Sequence, residues 1–454
     1  MRYTIWVCEL SVTKEKLLEE ASKWGGLSVK GHAFYQGKIE VVPKCAIRGL
    51  NDFSIWYTPG VAQPCREIAK NKEAAYDFTS KWNFLGVVSD GTRVLGLGDI
   101  GAQASLPVME GKALIFKYLG GIDAFPICLA TKDPDELVTA VKWLEPSFGG
   151  INLEDIASPK CFYVLDRLRK ELEIPVWHDD QQGTAAVSLA GLINALKVVG
   201  KKMQEIQLCM VGAGAANVRV ANVLMTAGVK PGNIIMTDSK GILHRGRKDL
   251  VGTYKWDLCL RTNAEGREGG NAEAIRGSDL CIALSSSGPG VIKKEWVAGM
   301  ADNAVLFACA NPIPEIWPWE AKEAGVRLVG TGRSDFPNQI NNSLVFPAIF
   351  RGALDVRAKT ITDEMCIADA EELARCAEEK GLSEDYLLPT MEDWDIYPRQ
   401  AVATAEKAME QGMARLKLSR QEVYDHAAAV IKRSQDMVKL LMRQEMIRPP
   451  PPTL

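Results

Sequence analysis

The residues best placed to do chemistry are two pairs of adjacent carboxylates. The stretch GINLEDI puts Glu154 and Asp155 just after a strand-like apolar run. The stretch PVWHDDQQG puts Asp179 and Asp180 just after another. In open parallel sheets, ligands bind beyond the carboxyl ends of the strands. Two acid pairs at two such ends can therefore converge on one point. Three or four convergent carboxylates do not all stay charged without a cation between them. An all-oxygen donor set suits Mg2+ or Mn2+. The competing reading is that each pair caps the helix after it, because acids favour helix N-termini.

Single residues elsewhere have comparable potential. Lys112 lies in the apolar run PVMEGKALIF. Burial would lower its pKa and make it usable as a base; otherwise it snorkels to the surface. Tyr57, in WYTPGVA, is a half-buried core residue unless its hydroxyl is put to use. Arg93 follows a tight turn in SDGTRVLGLGDIG and can pair with a carboxylate substrate or with a surface acid. Asn311 in CANPIPE and Asn341–Asn342 in FPNQINNSLVFP flank prolines, where turn capping is the competing role.

A second kind of site is written in IQLCMVGAGAANV, residues 206–218. An apolar strand runs into Gly212–Ala213–Gly214 and then into the Ala-rich start of a helix, Ala215–Ala216–Asn217. Glycines there allow a tight turn and let backbone N–H groups approach a pyrophosphate at the helix N-terminus. Asn217 stands where G-x-G-x-x-G has a small third residue, which predicts a slight shift of that helix. Asp238, in TDSKG, lies 24 residues after Gly214 and ends the next strand. An acid at that distance suits a ribose 2′-hydroxyl; starting a turn with Ser239 and Lys240 is its other role. Lys240 or Lys255 at the adenosine ribose would favour a 2′-phosphate, which leaves NAD and NADP both open.

The elements that must carry these residues alternate. Strands are predicted at 85–88, 124–129, 150–153, 175–178, 206–211, 234–237, 280–283, 304–308 and 327–329. Helices fall between them, at 106–120, 134–144, 160–172 and 183–199. Such alternation implies βαβ units and parallel sheets. Before them, 17–24 is helical, Gly25–Gly26 is a turn and 37–42 has β character. After about residue 360 the β signal ends, and 363–382 and 398–445 are amphipathic helices. The tail RPPPPTL cannot be helical and is expected to be disordered. The fold class is thus α/β: an N-terminal α/β substrate and metal domain (37–185), a Rossmann-type NAD(P)-binding domain (186–360) and a helical C-terminal segment (361–445). A leading segment (1–36) and a Pro-rich tail (446–454) flank them.

Composition narrows the class. The 454 residues are 47% hydrophobic and 24% charged, as in ordinary globular chains. The formal net charge of −3 argues against coating nucleic acid or an anionic membrane. No run is expected to span a membrane, and MRYTIWVCEL lacks the form of a secretory signal. Eleven cysteines without a CxxC pair read as core thiols in a reducing, cytoplasmic compartment. Four histidines and no HExxH make zinc chemistry a poor fit.

YTPGVA, SDGTRVLGLGDIG, PVMEGKA, GINLEDI, HDDQQGTA, VGAGAAN, CANPIPE and GRSDFPNQINN occur in this order. In that order they resemble malic enzyme, most closely the compact prokaryotic type. The resemblance implies oxidative decarboxylation of (S)-malate to pyruvate and CO2 with NAD or NADP and with Mg2+ or Mn2+. It makes Lys112 the general base at the C2 hydroxyl and Tyr57 the general acid at C3. It makes Glu154, Asp155 and Asp180 the metal ligands, with Asp179 supporting them. Arg93, Asn311 and Asn342 fall at substrate-binding positions, with Asn341 their neighbour. The cofactor stretch is Gly212–Asn217 with Asp238, Ser239 and Lys240, and TDSKG resembles NADP-using members somewhat more. The family also implies a homodimer, with the leading segment offered for its contacts. A redox-neutral malolactic or oxaloacetate decarboxylase on the same scaffold fits the same motifs.

Overall fold

The computed structural model describes residues 14–452. Residues 1–13 of the leading segment and the last two of the tail lie outside that range. The chain divides into two units, one of residues 43–435 and one made of the residues up to 42 and those from 436 onward. In the latter, helix Lys14–Tyr35 runs through Gly25 and Gly26, where a turn is predicted. Two glycines cost a helix about 1 kcal/mol each, which weakens it without forbidding it. Residues 37–42 pair with no strand. Near the other end of this unit, the Arg448 guanidinium lies 4.5 Å from the Phe34 ring centre.

Residues 43–435 hold two sheets. The first has strands β1 (Phe84–Ser89), β2 (Asp123–Cys128), β3 (Gly150–Leu153) and β4 (Val176–His178), in the order β2-β1-β3-β4. Its pairings are all parallel. The second has β5 (Leu208–Val211), β6 (Ile234–Asp238), β7 (Gly241–Ile242), β8 (Leu280–Ala283), β9 (Val305–Ala308) and β10 (Leu328–Thr331). Its order is β10-β9-β8-β5-β6-β7. The short β7 alone is antiparallel, folding back on β6 through the Asp238–Gly241 turn. The strand order reverses at β5, so a crevice opens beyond the ends of β5 and β8, the usual place for a ligand.

These elements follow from local rules. Helix Pro134–Leu144 begins where the Asp133 carboxylate accepts from the Asp135 and Glu136 amides, with proline at the first position. Helix Thr184–Val199 is apolar on every side and therefore buried. With the preceding turn, Asp179–Val199 is long and apolar enough to cross a membrane, contrary to the sequence expectation, but most of it is packed inside. A single apolar cluster contains Leu85 and Val87 of β1, Leu189 and Leu192 of this helix, and Leu208 and Met210 of β5. The predicted helix 398–445 is two helices, Ile396–Glu410 and Arg420–Arg443. Gly412, at φ +71°, lets the chain turn between them. All ten described cysteines are free thiols.

Candidate active site

Both acid pairs sit where strands of the first sheet end. β3 stops at Leu153, and Glu154 and Asp155 follow at once. Asp155 has φ +56°, a left-handed conformation that turns the chain sharply. β4 stops at His178, and residues 179–183 make one wide π-type turn before helix Thr184–Val199. Such turns frequently mark functional positions. Lys112 comes from helix Ala102–Gly120, which covers the same sheet.

The side chains converge. Lys112 Nζ donates to Asp179 Oδ2 and lies 3.2 Å from Glu154 Oε1. It also sits 4.1 Å from the centre of the Phe346 ring. Carboxylate oxygens of Glu154, Asp155 and Asp180 lie within 4.8 Å of one another. Asn152 Nδ2 donates to Glu154 (2.9 Å), and the Asp155 amide donates to Asp180 (2.8 Å). From the second sheet, past the end of β10, Asn342 Nδ2 donates to the same Asp179 oxygen that holds Lys112. Asp179 thus anchors a lysine from one helix and an asparagine from the other sheet.

Burial and like charge set the electrostatics of the cluster. Burial and then the nearby Asp180 carboxylate push Asp155 up to about 7. Burial drives Glu154 well above the carboxylate range against the opposing charge of Lys112. Asp179 is likewise raised by burial, with Lys112 opposing. Burial alone would lower Lys112, but Asp179 and Glu154 outweigh it and hold the ammonium above its ordinary range. Asp155 Oδ2 is buried with no hydrogen-bond partner. Three crowded carboxylates, one with an orphaned oxygen, fit a hard divalent cation.

The other predicted residues are placed less uniformly. Arg93 is exposed; its guanidinium donates to the Leu95 carbonyl at 3.3 Å and its charge acts on Asp155. Its backbone N–H donates to the Asp155 carbonyl at 2.9 Å, so its loop is tied directly to the acid cluster. Gly91 at φ +67° permits this, because a Cβ there would come within 2.2 Å of the Gly101 backbone. Asn311 is exposed in the loop after β9, and a Cβ on Gly96 of the Arg93 loop would lie 3.0 Å from its carbonyl oxygen. Asn341 does cap a turn, accepting from the Ser343 amide at 2.9 Å. Of the two adjacent asparagines, Asn341 thus caps its own turn while Asn342 reaches Asp179. Tyr57 is not drawn in. It is 71% exposed, ends helix Leu50–Trp56, and makes no hydrogen bond to Lys112.

Some contributors are absent from the sequence reading. Glu315, fully buried, accepts from the Ser285 amide (2.9 Å), the Ser285 hydroxyl (3.2 Å) and the Ala310 amide (3.1 Å). It joins the loops after β8 and β9, and with them Asn311. Its only sequence signal is an acid between prolines and an apolar run in PIPEIW. Lys160 pairs with the buried Asp90 and clamps the end of β1 to helix Lys160–Glu171.

At the second sheet, Gly212 has φ +97°, and a Cβ there would meet the Leu284 carbonyl at 2.7 Å. Gly214 precedes helix Ala215–Thr226 with open space around it. The Asn217 side chain is buried and donates to the Val211 and Gly212 carbonyls at 3.0 and 2.8 Å. Asparagine at the third fingerprint position thus ties the helix back to the strand. The amides at 213–216 border a cradle that fits a pyrophosphate. Asp238, at the end of β6, is paired with Arg247 and Lys255. Burial alone would raise it, but Arg247, the Lys240 amide and Lys255 hold it below the usual range. Ser239 and Lys240 are exposed in the turn that follows.

Comparison with known proteins gives this geometry a family. The description "Malic enzyme, NAD binding domain" matches residues 181–409, and "Malic enzyme, N-terminal domain" matches 36–133 and 130–169. The chain is 50% identical over 392 residues to a bifunctional malic/malolactic enzyme of Bacillus subtilis, covering 86% of this chain and 95% of that one. It is 49% identical over 379 residues to an NAD-dependent malic enzyme of Geobacillus stearothermophilus, covering 84% and 78%. Among solved structures, the malic enzyme of Entamoeba histolytica superposes with a TM-score of 0.95 at 46% identity, covering 97% of this chain and 93% of that one.

Proposed function

Because this chain belongs to the malic enzyme family, we infer that it catalyses oxidative decarboxylation of (S)-malate to pyruvate and CO2 with reduction of a nicotinamide dinucleotide. The observation that carries the residue assignment is the meeting of Lys112, Glu154 and Asp179 beside a three-carboxylate cluster. Glu154, Asp155 and Asp180 would hold Mg2+ or Mn2+, and the 212–217 turn the dinucleotide pyrophosphate. A bound divalent ion would supply Lewis acidity beside these carboxylates, and a bound nicotinamide would supply the hydride acceptor.

The chain's own residues do the rest. Lys112, as the neutral amine left when its ammonium passes a proton to the buried Asp179 carboxylate, takes the proton of the C2 hydroxyl. Asp179 and Glu154 hold it as an ammonium, and engaging Glu154 in metal binding removes one of these two restraints. Asp179 and Asn342 then aim the amine. Arg93 pairs with a malate carboxylate, and Asn311 orients it from the opposite loop. Tyr57 gives the proton to C3 of the enol.

The exposure of Tyr57 supports supply of this group across a homodimer contact. Phe53, Ile55 and Trp56, each at least half exposed, would form part of that contact. The chain would work in the cytoplasm, where its free thiols stay reduced. We favour NADP over NAD.

The test incubates the protein with (S)-malate and Mn2+, with NAD and NADP in parallel, and quantifies pyruvate and reduced cofactor. Equal amounts of both, lost with EDTA, are expected. Likeness to the Bacillus subtilis enzyme keeps one second reading, redox-neutral conversion to lactate. Lactate without net reduced cofactor would establish it.

A further inference from the structure

The turn after β6 carries a charge network that is not explained by binding a ribose hydroxyl. An ionised carboxylate has about four acceptor positions. Asp238 has four donors on them. Oδ1 accepts from the Lys240 amide (2.9 Å) and Arg247 Nη1 (3.1 Å). Oδ2 accepts from Arg247 Nη2 (3.2 Å) and Lys255 Nζ (3.1 Å). A 2′-hydroxyl seeking an acceptor finds none free.

Arg247 is equally committed. Its five N–H groups go to Asp238 twice, to Asp249 Oδ1 (2.9 Å) and Oδ2 (3.2 Å), and to the Ile242 carbonyl (3.4 Å). Its side chain is 11% exposed. It is a fixed hub that neutralises one acid and orients another. The lysines are less committed. Lys240 Nζ is seen donating to Asp249 (3.2 Å) and Lys255 Nζ to Asp238, one bond for three N–H groups in each case. Three cations and two carboxylates leave the turn with a positive excess.

We propose that Arg247 sets the cofactor preference of this chain by saturating Asp238, so that Asp238 cannot select a ribose 2′-hydroxyl and Lys240 and Lys255 receive a 2′-phosphate. This rests on the dinucleotide reading of the second sheet and deepens it. Arg247 is a positioning residue, acting through Asp238. The lysines keep N–H groups for the phosphate and gain charge-assisted bonds there.

The proposal makes opposite demands on the two cofactors, which a merely structural role for Arg247 would not. Binding of NADP, NAD and 2′,5′-ADP to the full chain is measured by titration calorimetry, with no substrate or turnover involved. Wild type is expected to bind NADP more tightly than NAD and to bind 2′,5′-ADP. Lys255→Gln should weaken NADP and 2′,5′-ADP roughly tenfold, about the worth of one charged hydrogen bond, and leave NAD within about twofold. Arg247→Gln frees two acceptor positions on Asp238, so NADP should weaken while NAD holds or tightens. Arg247→Lys should fall between. Equal weakening of both cofactors by Arg247→Gln, or no change in their ratio with Lys255→Gln, overturns the proposal. The lysine variant decides the matter if the arginine variant does not fold. If wild type binds none of the three, the dinucleotide reading itself falls, and the proposal with it.

Discussion

Asp155→Asn should make the metal-free protein more stable and cost it the metal. Asparagine is among the few residues that tolerate the left-handed backbone found here, at φ +56°. Its side-chain oxygen can keep the bond from the Leu95 amide, 3.3 Å long. What it removes is charge. Two like charges no more than 4.8 Å apart repel by at least about 3 kcal/mol at an effective dielectric near 20. The raised pKa values of Asp155 and Glu154 show that protonation already relieves part of this. A net gain of about 1–2 kcal/mol is therefore expected in EDTA at neutral pH. For a unit this large, that is a rise of a few degrees in unfolding temperature.

Mn2+ should reverse the ranking. Losing a ligand should weaken the ion at least about a hundredfold, since even residues that only orient a ligand are worth 10- to 100-fold. At Mn2+ equal to about 100 times the wild-type Kd, wild type gains about 2.7 kcal/mol and the variant about 0.4. Thermal unfolding in EDTA and in Mn2+ measures both. A variant less stable than wild type in EDTA refutes the like-charge argument. A variant that gains as much from Mn2+ as wild type removes Asp155 from the ligand set.

Four further outcomes are expected. Lys112→Ala should abolish malate oxidation with NADP binding intact by calorimetry; surviving turnover would end its assignment as base. Tyr57→Phe and Lys112→Ala should each be inactive alone, yet co-expressed they should recover about a quarter of wild-type activity, because half the dimers carry one intact shared site. No recovery would place Tyr57 and Lys112 of one chain in one site. Glu315→Gln should cost about 1–3 kcal/mol and lower kcat/KM for malate, because a buried amide then faces the Ala310 N–H; unchanged kinetics would show that it does not position Asn311. Arg351→Met should destabilise by about 3 kcal/mol in denaturant titration, since it removes the buried cation paired with Asp355 and leaves that carboxylate with the exposed His426 ring as its partner.

The parallel sheets were legible because their strands are short, apolar and bounded by turn residues. β3 and β8 lie where the alternation places them, β6 and β9 differ by one residue at one end, and β1 is longer by one residue at each end. β7 was not legible, since a two-residue strand has no periodicity. Nor was the break between the last helices, where the amphipathic pattern continues across Gly412. The convergence of Glu154, Asp155 and Asp180 was readable from position alone, because strand ends in one sheet bring neighbouring residues together. The hubs were not. Glu315 bridges two separate loops, and a linear sequence does not reveal which loops meet; Arg247 reaches Asp238 because the chain folds back between them through the two-residue β7. Tyr57 showed the limit from the other side. Its motif was readable, but its exposure depends on what helix Leu50–Trp56 packs against, which no local pattern encodes.

The bond from Asn342 to Asp179 gives the two sheets a shared thermodynamic ledger. Asn342 rides on the segment after β10, in the second sheet, and Asp179 holds the lysine beside the three-carboxylate cluster. A dinucleotide that displaced that segment would change how firmly Asp179 grips Lys112, and so the field that an ion at the three carboxylates would meet. Linkage is reciprocal: the factor by which dinucleotide alters metal affinity is the factor by which metal alters dinucleotide affinity. A single amide would therefore tie the two affinities together by the same factor, whichever ligand binds first.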